Sequence, residues 1–266
     1  MKTVVVTGST RGIGRGLAES FLKRGCKVMV SGRKAGTVEA AVAELAAEHG
    51  DRVAGQACDV SKAAELQALW DAAKAKFGQV DVWINNAGMS IERGPIHEAD
   101  PAELEAIVAT NLGGILLSAR VVLAGMLEQG SGQLWNMEGF GSGGQTQPGM
   151  TAYGSTKRAV NYINKALQKD IAGTPLQVCT LSPGIVVTDL LVGDYDTSSE
   201  QWTKAKKIFN ILGDTVDTVT PWLADKVLAT DKSGAKVAWL TGGKAFARFA
   251  TAGFNKRDLF ADMENA

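Results

Sequence analysis

A chain of 266 residues has room for one α/β domain with an ample core. With 45% hydrophobic and 21% charged residues, and 28 basic against 28 acidic side chains, it has the make-up of a soluble globular protein and no net field drawing it to nucleic acid or an anionic membrane. Three scattered cysteines without a CxxC pair, and two histidines without ligand spacing, argue against a disulfide framework or a metal site and for a reducing, cytoplasmic setting.

The chain opens on a β-branched run, 2–6, which reads as a strand and not as a signal or transit peptide. The turn Gly8-Ser9-Thr10-Arg11-Gly12-Ile13-Gly14 follows and leads into an amphipathic helix over 13–24. Glycines between a strand and a helix allow a tight turn, close backbone approach, and helix amides aimed at a diphosphate. A second strand, 27–31, ends in Ser-Gly-Arg-Lys. An acidic residue here would hold a ribose 2′-OH; Gly32 instead leaves room, and Arg33, with Arg11 as a second cation, suits a 2′-phosphate, so NADPH is expected over NADH.

A helix over 37–48 closes at His49, and a third strand, 52–57, leads to Cys58-Asp59-Val60. Asp59 at a strand's carboxyl end suits an adenine amino group, with Ser61 free to cap the next helix, 62–77. A fourth strand, 80–84, precedes Asn85-Asn86-Ala87-Gly88, a tight turn that lets a cofactor pass close by. His97 falls in a loop after Pro95 and reads as incidental. Asp100 and Pro101 start a helix that runs to about 128. Its stretch 106–127 is long and apolar, but Asn111, Arg120 and paired glycines favour burial between a sheet and a partner subunit over a membrane span. Asn111 costs desolvation in such a helix unless its amide is bonded; it is either a satisfied core amide or one that kinks the helix and holds a water.

A fifth strand, 133–137, a glycine-rich loop and a helix over 151–172 carry Tyr153 and Lys157. Four residues apart, they share one helix face, and an ammonium beside a phenol favours the phenolate, which makes a tuned proton donor. After a sixth strand, 176–181, Pro183-Gly184 forms a turn able to close over a nicotinamide, and Thr188 can bond its carboxamide or a phosphate. Residues of about 186–230, with Trp202, Phe209 and Trp222, read as a substrate lid. A seventh strand, 236–240, precedes a basic and aromatic tail of about 244–266, expected to pack on a neighbouring subunit, with a membrane surface as the alternative. Alternating strands and helices predict a single domain over 1–266: a Rossmann-type, doubly wound, seven-stranded parallel sheet in three α/β/α layers, with ligands at the strands' carboxyl ends.

The ordered set Thr7-Gly8-x3-Gly12-x-Gly14, Asp59-Val60, Asn85-Asn86-Ala87-Gly88, Asn111, Tyr153-x3-Lys157 and Pro183-Gly184 with Thr188 resembles the short-chain dehydrogenase/reductase family over nearly the whole chain. The resemblance implies Tyr153 as proton donor to a carbonyl, Lys157 binding the nicotinamide ribose and tuning Tyr153, and Asn111 positioning a relay water. It implies hydride transfer without a metal, and a homodimer or homotetramer joined by the two long helices. One departure stands out. The serine usual in the family about thirteen residues before the tyrosine is Phe140 by that count, and the usual Asn-x-Ser-Ser is Asn136-Met137-Glu138-Gly139. Ser142, a loop backbone N–H or a protonated Glu138 would have to take its place.

The run Trp135 to Gly144, followed by Thr151 to Lys157, with echoes at Ser182-Pro183-Gly184, at Thr188 to Leu191 and at Leu240-Thr241, is similar to the chlorophyll b reductase subgroup, here as a bacterial-type relative starting at its first strand. That likeness implies NADPH-dependent reduction of the 7-formyl group of chlorophyll b to 7-hydroxymethyl chlorophyll a. Met89, Ile91, Phe140, Met150, Leu190, Leu191, Trp202 and Phe209 are then the candidate rim of a wide pocket, though each taken singly reads better as lid core. A general carbonyl or alcohol oxidoreductase acting on a smaller ketone, steroid or sugar, and a non-catalytic NADP(H) sensor, are the competing readings.

Overall fold

The computed structural model describes residues 1–193 and 195–261; position 194 of the expected lid and 262–266 of the expected tail lie outside them. The first half runs β1 (Thr3–Val6), α1 (Gly12–Lys23), β2 (Lys27–Gly32), α2 (Ala35–His49), β3 (Val53–Ala57), α3 (Ala63–Phe77) and β4 (Val82–Asn85). The second runs α4 (Pro101–Val108), a π turn (Ala109–Gly113), α5 (Gly114–Gln129), β5 (Gly132–Met137), α6 (Thr151–Asp170) and β6 (Leu176–Ser182). It ends with α7 (Asp189–Val192), α8 (Glu200–Leu212), α9 (Val216–Leu228), β7 (Lys236–Ala238) and α10 (Gly242–Thr251). Among the described residues the strands form one parallel sheet, ordered β3-β2-β1-β4-β5-β6-β7. The order reverses between β1 and β4, and the crevice at that switch point is where such sheets hold ligands.

Strands covered on both faces read as continuous apolar runs, and alternate residues feed opposite layers. Val4, Val6, Ile84, Trp135 and Leu181 pack against α1 and α9 on one face. Val5, Trp83, Leu134 and Val178 pack against α3 and α5 on the other. The end of the expected lid, α9, thus belongs to the core: Val219, Leu223 and Val227 are fully buried, and Trp222 stands edge-on to Trp239 with ring centroids 5.3 Å apart. Asp100 caps α4 as its sequence predicts, accepting from the Ala102 N–H at 2.8 Å with Pro101 at the first turn.

The helix expected over 100–128 is one rod broken by the π turn around Asn111. By length and composition Pro101–Gln129 could cross a membrane, but half of its most apolar window is buried within the fold.

Candidate active site

The turn after β1 is shaped for a close-approaching ligand. A Cβ on Gly14 would fall 2.2 Å from the Gly8 carbonyl oxygen, so only glycine lets the first turn of α1 fold back on a turn whose Gly8 has φ of 63°. No side chain caps α1 at Arg11, and its leading amides face the switch point. The Asn86 amide donates to the Thr7 and Gly8 carbonyls at 2.9 and 3.0 Å, and Thr7 Oγ1 accepts from the N–H groups of Asn86 and Ala87. The Ser9 hydroxyl donates to the Val6 carbonyl at 2.6 Å and accepts from the Ser31 N–H at 2.9 Å. Asn86 and Ser9 therefore brace the glycine turn with their side chains, which was not foreseen. Thr10 packs its methyl against Gly32, the residue expected to leave room for a 2′-phosphate, and Ile13 packs on the core. From the far side, the Thr188 methyl lies 3.5 Å from where a Cβ on Gly12 would stand, so the segment after Pro183-Gly184 lies over the turn.

Arg33 is exposed at the end of β2. Arg11 is not free: its guanidinium pairs with Asp189 at 3.1 Å, with both side chains about three-quarters exposed (76% and 73%). Ser61 does not cap α3; its N–H and hydroxyl both donate to Asp59 Oδ1, at 3.0 and 2.7 Å. Burial works against the Asp59 carboxylate, yet the Ser61 bonds, Lys62 and Arg33 together hold it below the usual range, so Asp59 stays a pure acceptor. Val60 is buried, with its side chain against Gly114. A glycine-walled turn, uncapped helix amides and an exposed guanidinium on the neighbouring strand fit a dinucleotide carrying a diphosphate and a further phosphate.

Tyr153 and Lys157 occupy the first two turns of α6. Lys157 is 5% exposed; its ammonium donates to the Met137 carbonyl at 3.4 Å and lies 5.7 Å from the Tyr153 ring centre. Burial pulls its pKa down to about 8. A Cβ on Gly139 would lie 2.5 Å from the Tyr153 phenol oxygen and 3.2 Å from Lys157 Cγ. The position that Asn136 assigns to the missing serine therefore has no room for a side chain, because the phenol rests on the loop backbone. Ser142 is buried, and its Oγ accepts from the Gly139 N–H at 3.1 Å. Glu138 is buried and paired with Lys236 Nζ at 2.7 Å.

The Asn111 amide is held on both sides. Its Oδ1 accepts from the Met89 N–H at 2.9 Å, and its Nδ2 donates to the Met89 carbonyl at 2.9 Å and to Thr156 Oγ1 at 3.2 Å. Thr156 in turn donates to the Tyr153 carbonyl at 2.7 Å. A Cβ on Gly88 would lie 3.4 Å from Asn111 Oδ1 and 3.7 Å from Lys157 Nζ, so these groups share one space with the turn after β4. Sequence reasoning missed Met89 and Thr156 as partners of Asn111, Lys236 as partner of Glu138 and Asp189 as partner of Arg11. Only Thr156, beside Lys157 on a helix, carried a positional hint.

The apolar rim is smaller than expected. Met150, Trp202 and Phe209 are buried, the last two in a hydrophobic cluster closed by Phe260. Phe140 and Leu190 remain exposed, and Met89, Ile91 and Leu191 are half-buried.

Residues 2–198 match the sequence profile of the family described as short chain dehydrogenase. The chain is 36% identical over 254 residues to chlorophyll(ide) b reductase NOL, chloroplastic, of Arabidopsis thaliana, an alignment spanning 92% of this chain and 72% of that one. Among solved structures it is similar to the closed form of a serine dehydrogenase complexed with NADP+, at TM-score 0.77 and 26% identity, covering 90% of this chain and 94% of that one. It is also similar to an actinorhodin polyketide ketoreductase with NADPH, at TM-score 0.78 and 28% identity, covering 92% and 97%. Its fold holds a nicotinamide cofactor, and its chemistry runs between an alcohol and a carbonyl: the chain belongs to the short-chain dehydrogenase family.

Proposed function

We propose that this enzyme is an NADPH-dependent carbonyl reductase that converts the 7-formyl group of chlorophyll b to the hydroxymethyl group of 7-hydroxymethyl chlorophyll a. The observation that carries the reaction is the Tyr153 phenol beside the buried Lys157 ammonium, facing Gly139 in the loop after β5. The substrate rests on the Asn136-to-Gly144 loop and on the likeness to chlorophyll(ide) b reductases. Bound NADPH supplies the hydride that reaches the carbonyl carbon.

The chain's own groups do the rest. The helix amides of α1, with Gly12 to Gly14, take the diphosphate. Arg33 takes the 2′-phosphate and Asp59 the adenine amino group. Ala87, Gly88, Pro183, Gly184 and Thr188 flank the nicotinamide half, and Lys157 holds its ribose. Tyr153 gives its proton to the carbonyl oxygen, and the Lys157 charge stabilises the phenolate left behind. Asn111 fixes the first turn of α6 through Thr156, and at the π turn it positions the relay water.

Ser142 replaces the missing serine. Glu138 is committed to Lys236, and the Gly139 N–H to Ser142, which leaves the Ser142 hydroxyl proton to orient the carbonyl. The enzyme acts in the cytoplasm, where Cys26, Cys58 and Cys179, all free and buried, stay reduced. A second copy packs on the outer faces of α5 and α6, where Leu116 and Tyr162 are exposed around a cavity of about 710 Å³.

A smaller carbonyl compound is the second reading, favoured by the burial of Met150, Trp202 and Phe209. Incubation with chlorophyll b and NADPH, followed by chromatography of the pigments, decides between them, with NADH and Tyr153→Phe run alongside. A more polar hydroxymethyl pigment, formed with NADPH and lost in Tyr153→Phe, is the expected result. No product from protein that binds NADPH, together with turnover of small aldehydes, selects the second reading. Turnover that survives Tyr153→Phe overturns the assignment of the acid.

A further inference from the structure

A surface helix ordinarily buries its apolar face and turns its charges to water. The helix α10 does the reverse. Arg248 points inward: its guanidinium donates to the Leu212 and Gly213 carbonyls at 2.8 and 3.3 Å and to Asp214 Oδ1 at 3.1 Å. Arg257, just beyond the helix, joins it, donating to the Gly213 carbonyl at 2.6 Å and to Asp214 Oδ1 at 2.9 Å. The Trp239 indole completes the node with a 2.6 Å bond to Asp214 Oδ2. The phenylalanines point out: Phe246 is 77% exposed, Phe249 49% and Phe254 97%, and no residue of α10 is buried. Phe246 and Phe249 lie three apart and share a face.

Two facts say what covers these rings. Residues 242–257 hold four cationic side chains (Lys244, Arg248, Lys256 and Arg257) and no carboxylate, in a chain whose net charge is zero. Asp214 offsets one charge of the inward-turned pair Arg248 and Arg257, and the other cations of the segment are Lys244, over the Trp239 ring, and the exposed Lys256. Exposed phenylalanines on a segment of net positive charge match an interface between acyl chains and anionic headgroups. The patch also lies against the lid, because Arg248 is bonded to the end of α8, and Leu259 and Phe260 belong to the lid cluster with Trp202 and Phe209.

We propose that α10 and the segment to Phe254 dock the enzyme on a bilayer surface bearing anionic lipid, with the rings at the acyl boundary and Lys256 among the headgroups. The helix lies on the bilayer and does not span it, and the contact sets the lid at the membrane. The inference stands whichever carbonyl compound is reduced.

Flotation of the full chain tests it, using vesicles of phosphatidylcholine alone or mixed with phosphatidylglycerol. The protein is expected to float with the mixed vesicles, and less so in 0.5 M salt. Phe246→Ser/Phe254→Ser should weaken partitioning about tenfold or more, and Lys256→Glu should weaken it severalfold. NADPH binding and turnover of a small water-soluble aldehyde should stay unchanged in these variants, since the altered side chains are exposed. Failure to float overturns the proposal, as does flotation indifferent to the double substitution. A double variant that sediments in solution as a smaller species than wild type also overturns it, because the rings would then be a contact between subunits. None of these outcomes depends on chlorophyll b, so the docking and the substrate fail separately.

Discussion

Replacing Gly139 with serine, which restores the residue usual in this family, should impair the enzyme. The new Cβ would sit 2.5 Å from the Tyr153 phenol oxygen, and ordinary contact begins near 3.4 Å, so the phenol or the loop must move by 3.4 − 2.5 = 0.9 Å. The Lys157 stem, at 3.2 Å from the same point, blocks retreat along α6. A displacement of about 1 Å at a reacting group costs on the order of 100-fold in rate. Overpacking of this kind costs about 1–3 kcal/mol, which lowers Tm by roughly 2–12 °C for a domain of this size. The assay is kcat/KM for a small aldehyde with NADPH, together with a thermal melt of Gly139→Ser. A variant within threefold of wild type and with the same Tm would refute the reasoning. It would mean that the phenol does not rest on the loop and that the serine is absent for some cause other than space.

The buried ammonium makes a second prediction, in which activity and stability move in opposite directions. The folded pKa of Lys157 is about 8 against an ordinary 10.5, so below pH 8 both states carry the proton and the burial cost is fully present; between 8 and 10.5 the unfolded chain binds more protons, and this group adds stability as pH rises. A shift of that size is about 3 kcal/mol, so Lys157→Met should lose turnover yet melt several degrees above wild type at pH 7, and melts from pH 7 to 10 should converge. Arg33→Ala should cut kcat/KM for NADPH by about 10- to 100-fold, the worth of charge-assisted bonds to a phosphate, and leave NADH turnover unchanged; an equal loss on both would remove Arg33 from the 2′-phosphate. A Cβ at Gly143 meets only the flexible end of Gln145, so Gly143→Leu should fold normally. It should slow chlorophyll b reduction at least about tenfold more than small-aldehyde reduction if the loop admits a macrocycle; equal losses would sink that role.

The scaffold was legible because it obeys local rules. Alternating strands and helices, a proline and aspartate starting α4, and glycines after α1 and α3 all act over a few residues. The positions of Tyr153 and Lys157 on one helix face were legible for the same reason. Long-range pairings were not. Nothing near Glu138 points to Lys236, 98 positions away, and nothing near Arg11 points to Asp189. In sequence, α9 reads as lid because it carries threonines and aspartates beside its apolar residues, and only the packing of Val219, Leu223 and Val227 on the sheet reveals it as core. The rim is narrower than the sequence suggests because an aromatic residue looks the same in sequence whether it faces a ligand or, as with Trp202 and Phe209 on α8, a small core of its own.

Three places where this chain breaks local rules lie together. A lysine is buried, an asparagine sits in an apolar helix and bends it into a π turn, and a glycine stands where a hydroxyl is expected; Lys157, Asn111 and Gly139 all surround Tyr153 or its helix turn. A fold with no use for the ammonium would gain stability by giving it up. Strain concentrated around Tyr153 marks a functional site, and the melting behaviour of Lys157→Met is its direct readout: a variant no more stable than wild type would show that the lysine costs the fold nothing, and the argument from strain would fall with it.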